Sequence, residues 1–523
     1  MTSPSARRPP SPEDVITQQV DTAGLLPVQR GPRPGQPPPV RQVGRAKRAA
    51  PLAAPAVAAL ALGLWGIGRH DSMWRDESVS YQAAHRSLGE LWGLLGHIDA
   101  VHGLYYLLLH AVFAVWDGGP TALRLPSVLA SALAAAGVGA IGTRLAGRRA
   151  GTLAGLVFAL LPATQQYAQE GRSYALVTAG VTWATYFFLR AVADPRARRW
   201  TAYALTLGLA CWLHEFAALA LAAHGMTLAG LQVPRRIWCS WAVAATCLAA
   251  GLLPLMLTSA GQADEQLGWL GRPSLSMWLQ FLAVAATGVL LCRLLVCAGG
   301  PGAMAMTRLS LPLLIAPAGL LMTISLVKPW YVDRYVLYGL TGLALPAGAL
   351  LAHAIRRRHR LAPAARLLAA GLLATAAVAV LLPWSLMVRE PDSRKDDVVA
   401  VARAVEKTAH NGDGVLFMPA RRREWLLAFP RIYDRLDDLA LAKSPAASRT
   451  LQGTELPADE IRRRILAADR IIALTDPPDQ PLDAFPQEKV KRQILKRYYE
   501  PCEHTRVLGA QIVVYARPGH CTP

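Results

Sequence analysis

Residues 103–116 read GLYYLLLHAVFAVW, and the side assigned to every later loop of this chain depends on how that stretch is taken. It is apolar, but shorter than the roughly 20 residues a helix needs to cross about 30 Å of hydrocarbon. Tyr105, Tyr106 and Trp116 are residue types that settle at the boundary between lipid and water. The stretch therefore reads as a helix lying in or near the interface, with a second crossing as the alternative. Counting it as a span would reverse every loop downstream. The Arg-dense loops would then face outward, against the bias of Lys and Arg toward the cytoplasm.

The rest of the sequence follows from that choice. Of 523 residues, 53% are hydrophobic and only 17% charged, below the roughly 25% charged of an ordinary soluble domain. The apolar blocks are rich in Leu, Ala and Val and do not alternate, so they read as helices and not as barrel strands. Net charge is +20. Most basic residues sit in short loops between apolar blocks, which fits anionic lipid headgroups better than nucleic acid. No nucleic-acid-binding motif is present, and no nucleic-acid partner is expected. Residues 1–48 read as a disordered basic cytoplasmic tail ending in Arg45-Ala46-Lys47-Arg48.

About eleven spans result: 50–68, 125–143, 150–167, 173–191, 200–213, 216–232, 238–259, 277–297, 310–327, 336–354 and 362–384. A long first outer loop occupies 69–122, within a membrane domain of 49–384. Residues 385–523 change character. Helical patterns at 396–406 and 461–468, a turn at His410–Asp413, and strand-like runs at 414–418, 470–474 and 511–515 indicate a small α/β domain. The chain thus reads as an α-helical polytopic membrane protein with a C-terminal α/β domain outside the cytoplasm. Of seven cysteines, Cys211, Cys239, Cys247, Cys292 and Cys297 lie in apolar helices and read as buried packing residues. Cys502 and Cys521 lie in the tail domain, where a disulfide is plausible outside the cytoplasm.

The outward loops collect the chemistry. Met73-Trp74-Arg75-Asp76-Glu77-Ser78 follows the first span; adjacent carboxylates there serve either as a helix cap or as a site. Asp99 and His102 precede Tyr105 and Tyr106; His102 could be a solvated loop residue and Asp99 a helix cap. Arg124-Leu125-Pro126-Ser127 reads as the start of a helix. Glu170 and Arg172 join spans three and four, as snorkelling charges or as ligands. His214-Glu215 interrupts an apolar stretch, either as a short loop exposed to water or as a site, since ionisable groups at membrane depth are functional candidates by default. Arg334-Tyr335 precedes the tenth span, where an arginine can grip a phosphate or anchor a helix.

Trp74-Arg75-Asp76-Glu77, Asp99…His102…Tyr105-Tyr106, Arg124-Leu125-Pro126-Ser127, Gln169-Glu170…Arg172-Ser173-Tyr174 and Arg334-Tyr335, in this order, resemble the multi-pass GT-C glycosyltransferases. The similarity is to the bacterial branch of protein O-mannosyltransferases and aminoarabinose transferases, including actinobacterial mannosyltransferases, and covers about residues 50–385. The resemblance implies a sugar donor on a polyprenyl-phosphate carrier and an envelope glycan, lipid or protein acceptor. It makes Asp76 the general base of an inverting transfer, with Glu77 completing the acidic pair as a second catalytic position. Asp99, His102, Tyr105, Glu170, Arg172, His214, Arg334 and Tyr335 fall at substrate-binding positions, with Arg172 and Arg334 holding the carrier phosphate. No cofactor is certain; a divalent cation remains open, with Glu170, His102 and His214 as candidate ligands. The chain departs from relatives in having Gly103-Leu104 where they carry two prolines, and Glu215 where they carry an aromatic residue. Two other classes stay open: a transporter or flippase of lipid-linked or anionic solutes, and a non-catalytic envelope scaffold. The expected place is the bacterial plasma membrane, N-terminus inside and C-terminal domain outside.

Overall fold

The computed structural model describes residues 45–521, apart from 269, 301, 358–362 and 479. Most of the expected basic tail therefore lies outside the described residues, as do Arg358, His359 and Arg360. Helix α1 (Arg45–Leu64) leads into a loop carrying α2 (Arg75–Ala84), α3 (Leu88–Leu95) and α4 (Gly103–Val115). The bundle continues through α5 (Gly119–Ala146), α6 (Arg148–Leu160), α7 (Pro162–Ala168), α8 (Tyr174–Ala193), α9 (Ala197–Leu213) and α10 (Ala220–Leu231). It closes with α11 (Arg235–Leu267), α12 (Leu275–Cys297), α13 (Ala303–Ile324), α14 (Thr341–Arg357) and α15 (Pro363–Met387).

Each segment expected to span is helical. Among the described residues, seven helices are long and apolar enough to cross a membrane. Helix α9, the stretch Glu215–Leu231 and the apolar part of α15 are shorter. The expected span at 150–167 is not one helix: it breaks between α6 and α7, where Leu161 turns extended ahead of Pro162, as the residue before a proline is pushed to do.

Close helix approach holds the middle of the bundle together. A Cβ on Gly155 would stand 2.6 Å from the Pro55 ring, and one on Gly142 would stand 2.8 Å from the Gly151 Cα. Only glycine admits backbones this near, so α1, α5 and α6 pack through small residues, as helices in lipid commonly do.

Two observations place the residue 69–118 loop at one end of the bundle. Near the end of α1, the Gly63 and Trp65 carbonyls accept from Gln169 Nε2 at 3.0 and 2.6 Å. Close to the start of α5, Ser127 Oγ donates to the Arg172 carbonyl at 3.0 Å. Helix α1 arrives and α5 departs at the same end, so the loop that carries α4 leaves and rejoins the bundle there. Its tyrosines differ from expectation. Tyr105 and Tyr106 are fully buried in protein, and Tyr106 donates to Asp99 at 2.8 Å. Trp116 alone of the three is exposed, while Tyr106 lies beside Asp99 and His102.

The C-terminal domain begins with α16 (Val398–Thr408) and a five-stranded sheet. Its strands are β1 (Gly414–Met418), β2 (Asp437–Asp438), β5 (Arg470–Thr475), β6 (Glu500–Val507) and β7 (Ala510–Ala516), ordered β2-β1-β5-β7-β6. β1 runs parallel to β2 and β5, while β7 runs antiparallel to β5 and β6. β3 (Leu441–Lys443) and β4 (Thr454–Glu455) form a separate pair. Between strands lie α17 (Arg423–Leu427), α18 (Pro430–Tyr433), α19 (Pro445–Ser448), α20 (Ala458–Ala467) and α21 (Pro486–Tyr498). Burial of β1 on both faces explains its unbroken apolar run. β6 and α21 were not legible in the sequence: β6 is a half-exposed edge strand carrying charges, and α21 is a basic helix.

Cys502 and Cys521 form a disulfide. Cys211 and Cys292 are buried as expected, but Cys239, Cys247 and Cys297 are exposed. These three lie on the outer surfaces of α11 and α12, where apolar side chains need only face lipid.

Candidate active site

Helix α2 starts one residue after Trp74, and its first turn holds Asp76 and Glu77. Glu77 points inward and is fully buried. Arg124 grips it with two hydrogen bonds, Nε to Oε1 and Nη2 to Oε2, both 2.7 Å. The Gly171 N–H donates to Oε1 at 2.9 Å and the Arg69 Nη1 to Oε2 at 3.5 Å. Burial works against the charge, yet Arg124 and Arg69 hold the carboxyl down at about 2. Arg124 was expected at the start of a helix. It lies inside α5, which begins at Gly119, and its role is the clamp on Glu77.

Asp76 has a different environment. Its side chain keeps 27% of its exposure and meets Arg334 Nη2 at 3.4 Å. The Arg334 guanidinium lies over three rings, with its carbon 5.7 Å from Trp74, 5.4 Å from Tyr174 and 5.8 Å from Tyr335. Arg172 approaches the same turn from below, with Nη1 3.5 Å from the Asp76 carbonyl and 3.2 Å from Ser80 Oγ. Its Nη2 lies 2.5 Å from His102 Nε2. His102 and His214 stand 5.7 Å apart by ring centroid, and His214 lies 4.4 Å from Tyr335 and 5.8 Å from Tyr174. Burial, with Arg172 beside it, drives the His102 pKa well below its ordinary value, so the ring is neutral.

The structure thus brings together Asp76, His102, Arg172, His214, Arg334 and Tyr335 at one end of the bundle. Asp99 stands at the edge, its carboxylate bonded to Tyr106 and its pKa raised by burial. Tyr105 is part of the core behind α4. Glu170 is 2% exposed and faces Arg394 Nε at 3.6 Å, with Oε1 unpartnered; burial pushes its pKa up to about 7. Glu215 turns away and accepts from Ser259 at 2.7 Å.

Several participants were missed in the sequence. Tyr174 stood within a quoted motif and only the packing shows its ring at Arg334. Arg394, Asp396, Asp397 and Glu424 come from the C-terminal domain and carry no local signal. A divalent-cation site does not fit these residues. Among those described, no three His, Cys, Asp or Glu side chains converge as ligands. Of the expected ligands, His102 faces the Arg172 guanidinium, Glu170 faces Arg394, and His214 packs against the Tyr335 and Tyr174 rings.

Residues 104–260 match the family model for dolichyl-phosphate-mannose-protein mannosyltransferase. No curated protein matches the sequence. Among solved structures, ArnT from Cupriavidus metallidurans in the apo state is similar over 84% of this chain and 93% of its own, at 13% identity and a TM-score of 0.51. The same protein bound to undecaprenyl phosphate is similar over 90% and 98%, at 13% identity and 0.51. The apo oligosaccharyltransferase of Archaeoglobus fulgidus is similar over 82% and 69%, at 12% identity and 0.50. At such identities the likeness is one of fold.

Proposed function

We propose that this chain is a glycosyltransferase of the GT-C superfamily, a reading supported by the family match at residues 104–260 and the likeness of fold to ArnT, and that it moves a sugar from a polyprenyl-phosphate carrier to an envelope acceptor outside the cytoplasm, with Asp76 as the base. The observation that carries this reading is a contrast among carboxylates at the mouth. Glu77 is saturated by Arg124, Arg69 and Gly171, and Glu170 faces Arg394. Asp99 is bonded to Tyr106 and Glu424 to Arg75. The Asp76 carboxylate is partly open and meets Arg334. A base must reach a proton on an incoming group, and the partly open carboxylate of Asp76 supports that role. Glu77 is then a positioning residue.

In the proposed step, an Asp76 oxygen takes the proton of an acceptor hydroxyl. The acceptor oxygen forms a bond to the anomeric carbon, and the bond to the carrier phosphate breaks on the opposite face, so the centre inverts. The leaving phosphate carries the electron pair away, and Arg334 and Arg172 offset the charge that grows on it. ArnT, on the same fold, is seen with undecaprenyl phosphate, which supports a carrier of this class. Tyr174, Tyr335, His214 and His102 would line the space beside the sugar. The arginine bias of the loops favours a cytoplasmic N-terminus and an outward site.

The test compares the envelope glycans of a deletion strain rescued with the wild-type chain or with Asp76→Asn. Loss of a general base lowers transfer by about 10²- to 10⁴-fold, so the variant should accumulate normally while its product disappears. Wild-type product from Asp76→Asn removes Asp76 from the chemistry.

A further inference from the structure

Helix α2, which carries Asp76, begins without a cap of its own. Its N-cap is Trp74, whose indole offers no oxygen to the free N–H groups of a first turn. Within the loop, Glu77 reaches back to the Trp74 N–H at 3.4 Å. The next donors are met from the other domain. Asp396 Oδ1 accepts the Arg75 N–H at 2.7 Å, across 321 residues of sequence. Asp397 Oδ1 accepts the Met73 N–H at 3.4 Å, and the Val398 N–H donates to the Met73 carbonyl at 2.7 Å. Glu424, 2% exposed, holds the Arg75 guanidinium at 3.4 Å, and its carbonyl accepts from Ser78 Oγ at 3.3 Å.

Asp76 is therefore bracketed: residues 73, 75 and 78 are all fastened from the C-terminal domain. Among the described residues the Asp76 carboxylate has one side-chain partner, Arg334 at 3.4 Å, so its direction is set chiefly by the backbone of the first turn. An acceptor carboxylate at that position also complements the positive end of the helix. Where a reacting group must sit to within an ångström, fraying of that turn is costly.

We propose that Asp396 and Glu424 are positioning residues for transfer: the C-terminal domain caps the helix of Asp76 and fixes the direction of its carboxylate. This rests on the reading of Asp76 as base. The domain is then a working part of the active site and not a separate binding module.

The test uses the full chain. Amide hydrogen exchange at residues 73–78 is measured in lipid nanodiscs for the wild type, Asp396→Ala and Asp396→Asn. Arg403→Ala serves as control; it removes an exposed ion pair with Asp71 across the same junction. Envelope product is measured in strains carrying each variant, Glu424→Gln and Asp76→Asn. Asp396→Ala should exchange about 5- to 30-fold faster and make about 5- to 30-fold less product, the effect of losing one cap. Asp396→Asn keeps an accepting oxygen and should stay near wild type in both, as should Arg403→Ala. If Asp396→Ala does not accumulate, Glu424→Gln, which takes the counter-charge from the Arg75 guanidinium where Asp396→Asn only has to accept from a neutral backbone N–H, should still lower product severalfold at a normal protein level. Unchanged exchange in Asp396→Ala, faster exchange with full product, equal damage from Asp396→Asn, or full product from Glu424→Gln overturns the proposal. An inactive Asp76→Asn beside a fully active Asp396→Ala sinks the positioning role alone. An active Asp76→Asn sinks the base assignment while the exchange measurement still reports on the cap.

Discussion

Replacing Glu77 with Gln separates a positioning role from a chemical one. The carboxylate is fully buried and accepts from Arg124 twice, Gly171, Trp74 and Arg69. The amide would leave two buried guanidiniums, Arg124 and Arg69, without a counter-charge. Breaking a buried pair from one side costs about 3–5 kcal/mol. Arg124 keeps its bonds to the Ile67 and Ser72 carbonyls at 2.8 and 2.6 Å, so the lower end, about 3 kcal/mol, applies. Where the cluster is lost on the way to unfolding, that is about 10²-fold in the rate of irreversible heat inactivation. The assay follows inactivation in nanodiscs at fixed temperature with a thiol-reactive dye, which reaches buried Cys211 and Cys292 only as the bundle opens. Glu77→Gln with Arg124→Gln should recover part of the loss, since the two residues are coupled. The acid side gives a second check. The Glu77 carboxyl is held at about 2 against an ordinary 4.5, a depressed value. Its contribution to stability is therefore complete above 4.5 and lost as pH falls toward 2. Wild type should inactivate faster across that window, and Glu77→Gln should lack this component. A Glu77→Gln chain with the wild-type half-life and no transfer would refute the reasoning and put Glu77 into the chemistry beside Asp76.

Two further outcomes follow from the electrostatics and covalent structure. Glu170 binds its proton more tightly when folded, with its pKa raised from 4.5 to about 7 by burial. Its contribution to stability is full below 4.5 and lost as pH rises through 7, so Glu170→Gln should flatten thermal stability across that range, and an unchanged profile would refute the assignment. The Cys502–Cys521 bond closes a loop with a separation of 19 residues, and its removal by paired serine substitution should cost about 2–4 kcal/mol in the C-terminal domain. Limited proteolysis near β6 checks this, and equal resistance with and without the bond would count against it.

What the sequence revealed and what it hid have separate physical causes. The bundle was legible because lipid imposes a simple rule on long apolar segments, and because arginine marks one side of them. The strands β1, β5 and β7 were legible because buried strands are apolar runs. β6 was not, since its exposed edge alternates charge with partial burial. The break between α6 and α7 was signalled by Pro162 and passed over, because hydropathy averages across a kink. Arg124 looked like a helix start from the proline two residues later; its partner, Glu77, is 47 residues away, and no spacing rule links them. The same holds for Arg75 and Glu424. An ion pair that fastens two domains leaves no periodicity in either.

The acidic pair shows most sharply where reading by motif stops. As neighbours in sequence, Asp76 and Glu77 look like one unit with one job. On an α-helix, adjacent side chains project about 100° apart, so two successive carboxylates in a first turn cannot face the same space. One of them turns into the protein, where an uncompensated charge is untenable, and there Arg124 and Arg69 receive Glu77. The other turns to the mouth, where water and Arg334 sustain Asp76. The division follows from helix geometry once α2 is known to start at Arg75. That start is held in place by Asp396, so the orientation of the outward carboxylate depends on a domain whose sequence shows no trace of the reaction.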